Sequence, residues 1–157
     1  WKYLIKFGFS LGEGQISVRL QLRHPRNGSE ANATLEVYLD EDWDKVEALD
    51  DVCLRPKYAR QGAPIPLPPS GEWSDWMNAT LWQKIRPHIW YFVLSDCSNL
   101  LPNITHTVRY ELRAVQHSGS EFSSEMEWML PVHLLFVGGF SAFLWYFSRL
   151  TLGFSRS

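Results

Sequence analysis

Between Trp128 and Ser148 the chain reads WMLPVHLLFVGGFSAFLWYFS, with no Asp, Glu, Lys or Arg. No other feature restricts the possible folds so strongly. About 20 apolar residues, rising about 1.5 Å each, cross a hydrocarbon core of about 30 Å as one helix. A single segment has no other way to pair its peptide groups inside a bilayer. Pro131 falls in the first turn, where its missing N–H is no loss. Trp128, Trp145 and Tyr146 sit near the two ends, where interfacial aromatics belong. Two other uses of such a segment are a buried C-terminal helix and a lipid-anchor signal. An anchor signal normally runs apolar to its end, without Arg149 and Arg156.

The flanks set an orientation. Glu121, Glu125 and Glu127 precede the span, and Arg149 and Arg156 follow it. Positive charge stays cytoplasmic, so residues 1–127 are expected outside the cell or in a lumen, with residues 149–157 in the cytoplasm. Gly138 and Ala142 are four apart on one face of the span, a spacing that lets a second membrane helix approach closely.

Four sequons agree with that orientation: those beginning at Asn27, Asn32, Asn78 and Asn103, none with Pro in the middle. The chain starts at Trp1 directly in a strand-like pattern with no signal peptide, as expected of a processed chain or a fragment. Cys53 and Cys97 are too far apart for a CxxC motif. In an oxidising compartment they would form one disulfide, and in the cytosol two thiols.

The N-terminal part has period two rather than 3.6. Residues 2–9 and 15–22 alternate, with Gly12 and Gly14 between them, which predicts a hairpin. Residues 34–39, 88–96 and 105–115 predict further strands. Trp43, Val46 and Leu49 are three apart in the acidic run 40–51, which predicts a short amphipathic helix on the sheet. The acids lack the spacing of a calcium loop. Residues 55–72, rich in Pro, predict a long irregular loop. The sum is an all-β antiparallel sandwich followed by one transmembrane helix.

Chemistry is not visible in the sequence. The five histidines lack metal-ligand spacing, and no GxSxG, HExxH or phosphate loop occurs. With a net charge of −2 and no basic stripe, the chain is not expected to bind nucleic acid. We therefore expect a protein that is not an enzyme and uses no cofactor. Trp73-Ser74-Asp75-Trp76 invites comparison with the Trp-Ser-x-Trp-Ser of cytokine receptors, but it lies far from the span and Met77 stands in place of the last Ser. It predicts a loop or short strand. Trp-x-x-Trp is also an acceptor pattern for C-mannosylation, which would fall on Trp73; plain packing of Trp73 or Trp76 is the reading preferred to it.

Three segments in order resemble one family: VYLDEDWDKVEALDDVC (37–53), IWYFVLSDCSN (89–99) and VRYELRAVQHSGSEFSSEMEW (108–128), followed by the span. Over roughly residues 35–147 the chain resembles the luminal domain and first helix of GOLD-domain seven-transmembrane proteins. Within them it looks most like the intimal thickness-related receptor branch. The resemblance implies a GOLD-type β-sandwich with Cys53 bonded to Cys97. It implies GPCR-like helices after the first, and a secretory-pathway membrane in the Golgi, endosome or cell surface. The single span leaves two arrangements: a piece of a seven-helix protein, or a single-pass relative similar to the p24 cargo receptors. No heptads precede the span, which places the second behind the first. The expected function is recognition of a protein ligand or cargo. The alternative is a structural anchor that holds an extracellular filament or matrix assembly on the membrane.

Overall fold

The computed structural model describes residues 1–28, 30–98, 101 and 103–154. The chain divides into two compact units, Trp1–Ser124 and Glu125–Ser157.

The first unit is a sandwich of two antiparallel sheets. Its strands are β1 (Lys2–Phe9), β2 (Gly12–Leu22), β3 (Ala31–Leu39), β4 (Gln61–Leu67), β5 (Met77–Gln83), β6 (His88–Ser95) and β7 (Val108–Val115). One sheet has the order β1-β6-β3-β4, and the other β5-β2-β7. Period-two patterning does the work. In β2, Ile16, Val18, Leu20 and Leu22 point inward and are buried, while Ser17, Arg19 and Gln21 face out. Phe9, Leu35, Val37, Phe92 and Leu94 meet them from the facing sheet. Each such buried side chain contributes about 1.5–3 kcal/mol of transfer free energy.

Two sequence expectations fail here. Segments 2–9 and 15–22 do not form a hairpin: β1 pairs with β6, and β2 pairs with β5 and β7. Ser10 and Leu11 carry the chain from one sheet to the other. The glycines serve that crossing. Gly12 has φ +112°, and a Cβ at Gly14 would lie 2.2 Å from the Phe9 ring, so β2 can start only against a residue without a side chain. The Pro-rich stretch is also not all loop. Residues 61–67 form β4, paired with β3 along one side only. Pro64 and Pro66 are tolerated because an edge strand needs only half of its backbone groups for the ladder, and they discourage pairing with another chain there.

The outer face of the four-stranded sheet carries a second, smaller core. Helix α1 (Asp40–Glu47) and a 3₁₀ segment (Val52–Tyr58) lie over it. Val46 is fully buried there with Tyr38 and Val93, and Trp1, Trp43, Ala59 and Tyr91 pack around them. The expected amphipathic helix is present, although it ends at Glu47. Cys53 and Cys97 are disulfide-bonded, with Cα atoms 5.7 Å apart, and tie the 3₁₀ segment to the chain just beyond β6. Beneath lies Glu36, only 1% exposed. Its carboxylate accepts hydrogen bonds from the Tyr38 hydroxyl and from Ser95 Oγ. Burial, and then the bond to Glu36 and its charge, push the Tyr38 phenol far above its ordinary range.

The second unit holds helix α3 (Met129–Phe154), of which Met129–Thr151 is long and apolar enough to cross a membrane. Its 23 residues span about 35 Å. Its large apolar side chains from Met129 to Leu150 are exposed. Three polar groups turn back on the helix: His133 Nδ1 lies 2.6 Å from the Met129 carbonyl, Ser148 Oγ donates to the Leu144 carbonyl at 2.7 Å, and Thr151 Oγ1 to that of Phe147 at 3.1 Å. Satisfied in this way, they remain compatible with hydrocarbon. The helix starts one residue after, and ends several beyond, the apolar run read from sequence.

Candidate functional site

Two aromatic constellations lie on the outer faces of the sandwich. The first is a pocket of about 260 Å³ lined by Trp1, Tyr3, Trp43, Tyr91 and Glu47. Alternation in β1 and β6 places Tyr3 and Tyr91 on the outer face, while Leu4, Trp90 and Phe92 turn inward. Trp43 on α1 then lies flat on Tyr91, with centroids 4.1 Å apart and planes at 7°. Trp1 stacks at 6.2 Å from Trp43, Tyr3 tilts against it at 5.8 Å, and Tyr38 meets it edge-on from below at 6.1 Å. The guanidinium of Arg55 covers the Trp1 ring at 4.4 Å and is held by bonds from Nε and Nη2 to the Leu49 carbonyl, at 3.1 and 2.6 Å.

Ion pairs fix α1 above the sheet. Asp40, Glu41 and Asp42 occupy its first turn, the favourable end of the helix dipole for acids. Asp40 meets His88 at 3.2 Å, Glu41 pairs with Arg86, and Asp42 takes both Lys45 and Arg60 at 3.0 Å. The hydrogen bond from Lys45, with the charges of Lys45 and Arg60, holds the Asp42 carboxyl below its ordinary range. Asp44 and Glu47 have no ion-pair partner among the described residues.

The second constellation explains Trp73-Ser74-Asp75-Trp76. The segment continues β5 alongside β2. Ser74 N–H donates to the Leu20 carbonyl at 2.8 Å, and Leu20 N–H donates to Ser74 Oγ at 3.0 Å. Trp73 bridges to Gln21. The Arg19 guanidinium lies 4.8 Å from the Trp73 ring centroid and 4.6 Å from that of Trp76, and its Nε donates to Glu111 across the β2–β7 ladder at 2.7 Å. The motif is thus a clamp on an arginine, each cation–π contact contributing about 0.5–1 kcal/mol. The spacing of the two tryptophans was legible in the sequence. Arg19, more than fifty positions upstream on the polar face of a strand, carried no local signal.

The other singled-out residues are dispersed. Asn27, Asn32, Asn78 and Asn103 are all exposed, Asn32 within β3 and Asn78 within β5. Ser29, which completes the sequon of Asn27, lies outside the described residues. Asn78 Oδ1 accepts from Ser17 Oγ at 2.7 Å, and Asn103 has φ 52° just before the helical turn α2 (Ile104–Thr107). Gly138 and Ala142 share one exposed face of α3. Among the described residues no group of three or more His, Cys, Asp or Glu is arranged to hold a metal.

The aromatic pocket was missed in the sequence because its parts come from three separated segments. A signal existed: Tyr3, Tyr38 and Tyr91 all fall on the second face of strands whose first face is apolar, and Trp43 leads the apolar stripe of α1. No protein-family model matches the chain. No curated protein matches it either.

Proposed function

We propose that the chain is the membrane-tethered recognition domain of a GOLD-domain, GPCR-like protein of the intimal thickness-related receptor branch, and that it binds a protein ligand or cargo on the luminal or extracellular side. One observation carries this: a disulfide-bonded β-sandwich with an open aromatic pocket shares a chain with an apolar helix long enough to span a bilayer. A disulfide persists where the compartment is oxidising, which puts the sandwich on the non-cytoplasmic side of that membrane. The four sequon asparagines are exposed, as glycan acceptors must be. Aromatic side chains at an open surface are the usual anchors of protein recognition. The family assignment rests on the order of the three resembling segments and the span. The secretory-pathway location follows from it.

The test is purification from native membranes in mild detergent, with identification of stoichiometric partners. Cargo, coat components or a soluble ligand support the proposal. A secreted repetitive polymer as the stoichiometric partner replaces it with the structural anchor. Digestion of the sandwich by protease added to sealed microsomes overturns the topology on which both depend.

A further inference from the structure

We propose that the pocket between α1 and the outer face of β1 and β6 receives a basic side chain, a Lys ammonium or Arg guanidinium, presented by the protein partner. This deepens the recognition reading and rests on it.

The lining selects for positive charge. It comprises four aromatic rings and one carboxylate, Glu47, and no basic side chain; the α-ammonium of Trp1 is drawn to the charges of Asp96 and Glu36. Aromatic faces carry negative potential and attract cations. Glu47 is the last residue of α1, where the helix end adds partial negative charge of its own. Asp44, one turn earlier, lies on the same side of the helix. Of the other acids of α1, Glu41 is paired with Arg86 and Asp42 with Lys45 and Arg60, and Asp40 contacts the His88 ring; the acids without a partner among the described residues, Asp44 and Glu47, lie toward its pocket end.

Size agrees with a side chain. A cavity of about 260 Å³ is below the range of about 300–1,000 Å³ that takes a whole drug-sized ligand. An anion would meet Glu47 unfavourably. An apolar side chain would cover that carboxylate without giving it a partner, a desolvation cost with no return. The ring system already holds one cation, since Arg55 lies on Trp1. Arg55 is anchored to the Leu49 carbonyl and does not line the pocket, which leaves the opening free.

The experiment uses the whole protein in a detergent with an uncharged sugar headgroup, with ¹⁵N-labelled tryptophan. Indole N–H signals of Trp1 and Trp43 are assigned by Trp→Phe substitution and followed by NMR. The probes are the acetylated amides of arginine, lysine and leucine, and tetramethylammonium. Saturable shifts are expected at both indoles with the arginine or lysine probe and none with leucine. Glu47→Gln, at an exposed position, is expected to weaken the response about tenfold with the remaining indole signals unmoved. Tyr3→Ala, exposed at 42%, weakens it independently. The proposal falls if neither basic probe saturates, if leucine acts equally, or if Glu47→Gln changes nothing. Saturation by tetramethylammonium alone points instead to a quaternary headgroup and also overturns it. A partner that copurifies undiminished with Glu47→Gln leaves the recognition reading standing without this pocket. A pocket that binds the basic probes in a protein without any partner separates the two in the opposite sense.

Discussion

Removing the disulfide tests how the cover over the outer sheet is held. Cys53 and Cys97 are separated by 44 positions and both are exposed, so Cys53→Ser with Cys97→Ser removes a tether and almost no core volume. The effect is then carried by the unfolded chain. Loop-closure entropy for a ring of this length gives about 4 kcal/mol at room temperature. That is a large share of the roughly 5–15 kcal/mol by which a domain of this size is stable. The native state has little to replace it with, because α1 has 8 residues and is too short to persist without packing. The assay is urea unfolding of the whole protein in detergent, followed by tryptophan fluorescence. The variant should lose about 4 kcal/mol, with a larger m-value because its unfolded chain exposes more surface. Wild type unfolded under reductant should fall on the variant's curve. A loss below about 1 kcal/mol would refute the reasoning, since the unfolded chain would then be as restricted without the tether as with it.

Glu36→Ala should cost about 3–5 kcal/mol in the same assay, because it strands two buried hydroxyls, and Tyr38→Phe with Ser95→Ala in that background should recover part of the loss. The raised Tyr38 phenol gives a signed pH dependence: its contribution is complete below the unfolded value of about 10 and is lost as pH rises beyond it. Urea midpoints measured up the alkaline range should fall more steeply for wild type than for Tyr38→Phe. Mass spectrometry of the peptide holding Trp73 separates the two uses of that ring: one added hexose on the indole marks C-mannosylation, and unmodified Trp73 throughout leaves only its packing on Arg19. Asn32→Gln, Asn78→Gln and Asn103→Gln should each shorten the glycosidase-sensitive ladder on a gel by one step, and a variant that leaves it unchanged marks an unused sequon.

What could be read from the sequence divides along physical lines. Strands were legible as segments: β1 and β6 were placed nearly to the residue and β3 over its last six residues, because alternation and dense apolar runs are local signals. The span was legible for a similar reason, since bilayer thickness fixes its length. Strand pairing was not. Residues 2–9 and 15–22 have the composition of a hairpin, yet the strands they pair with, β6 for the first and β5 and β7 for the second, lie far along the chain. β4 was hidden by its prolines, whose usual meaning as breakers is suspended on an edge.

The candidate site was the least legible part, and the reason is connected. A sandwich whose outer faces were both simply solvated would show polar residues at every second strand position. Here Tyr3, Tyr38, Tyr91 and Val93 break that rule on one face of one sheet. They require a cover, and α1 with the 3₁₀ segment supplies it. That cover is incomplete over Tyr3, at 42% exposure, which turns a packing requirement into a pocket. The disulfide fixes the cover at one end and the ion pairs of Asp40, Glu41 and Asp42 fix it at the other. Asp44 and Glu47, beyond the ion-paired first turn, have no ion-pair partner among the described residues and present charge outward. The same elements that complete the second core therefore set the position and the sign of the surface offered to a partner.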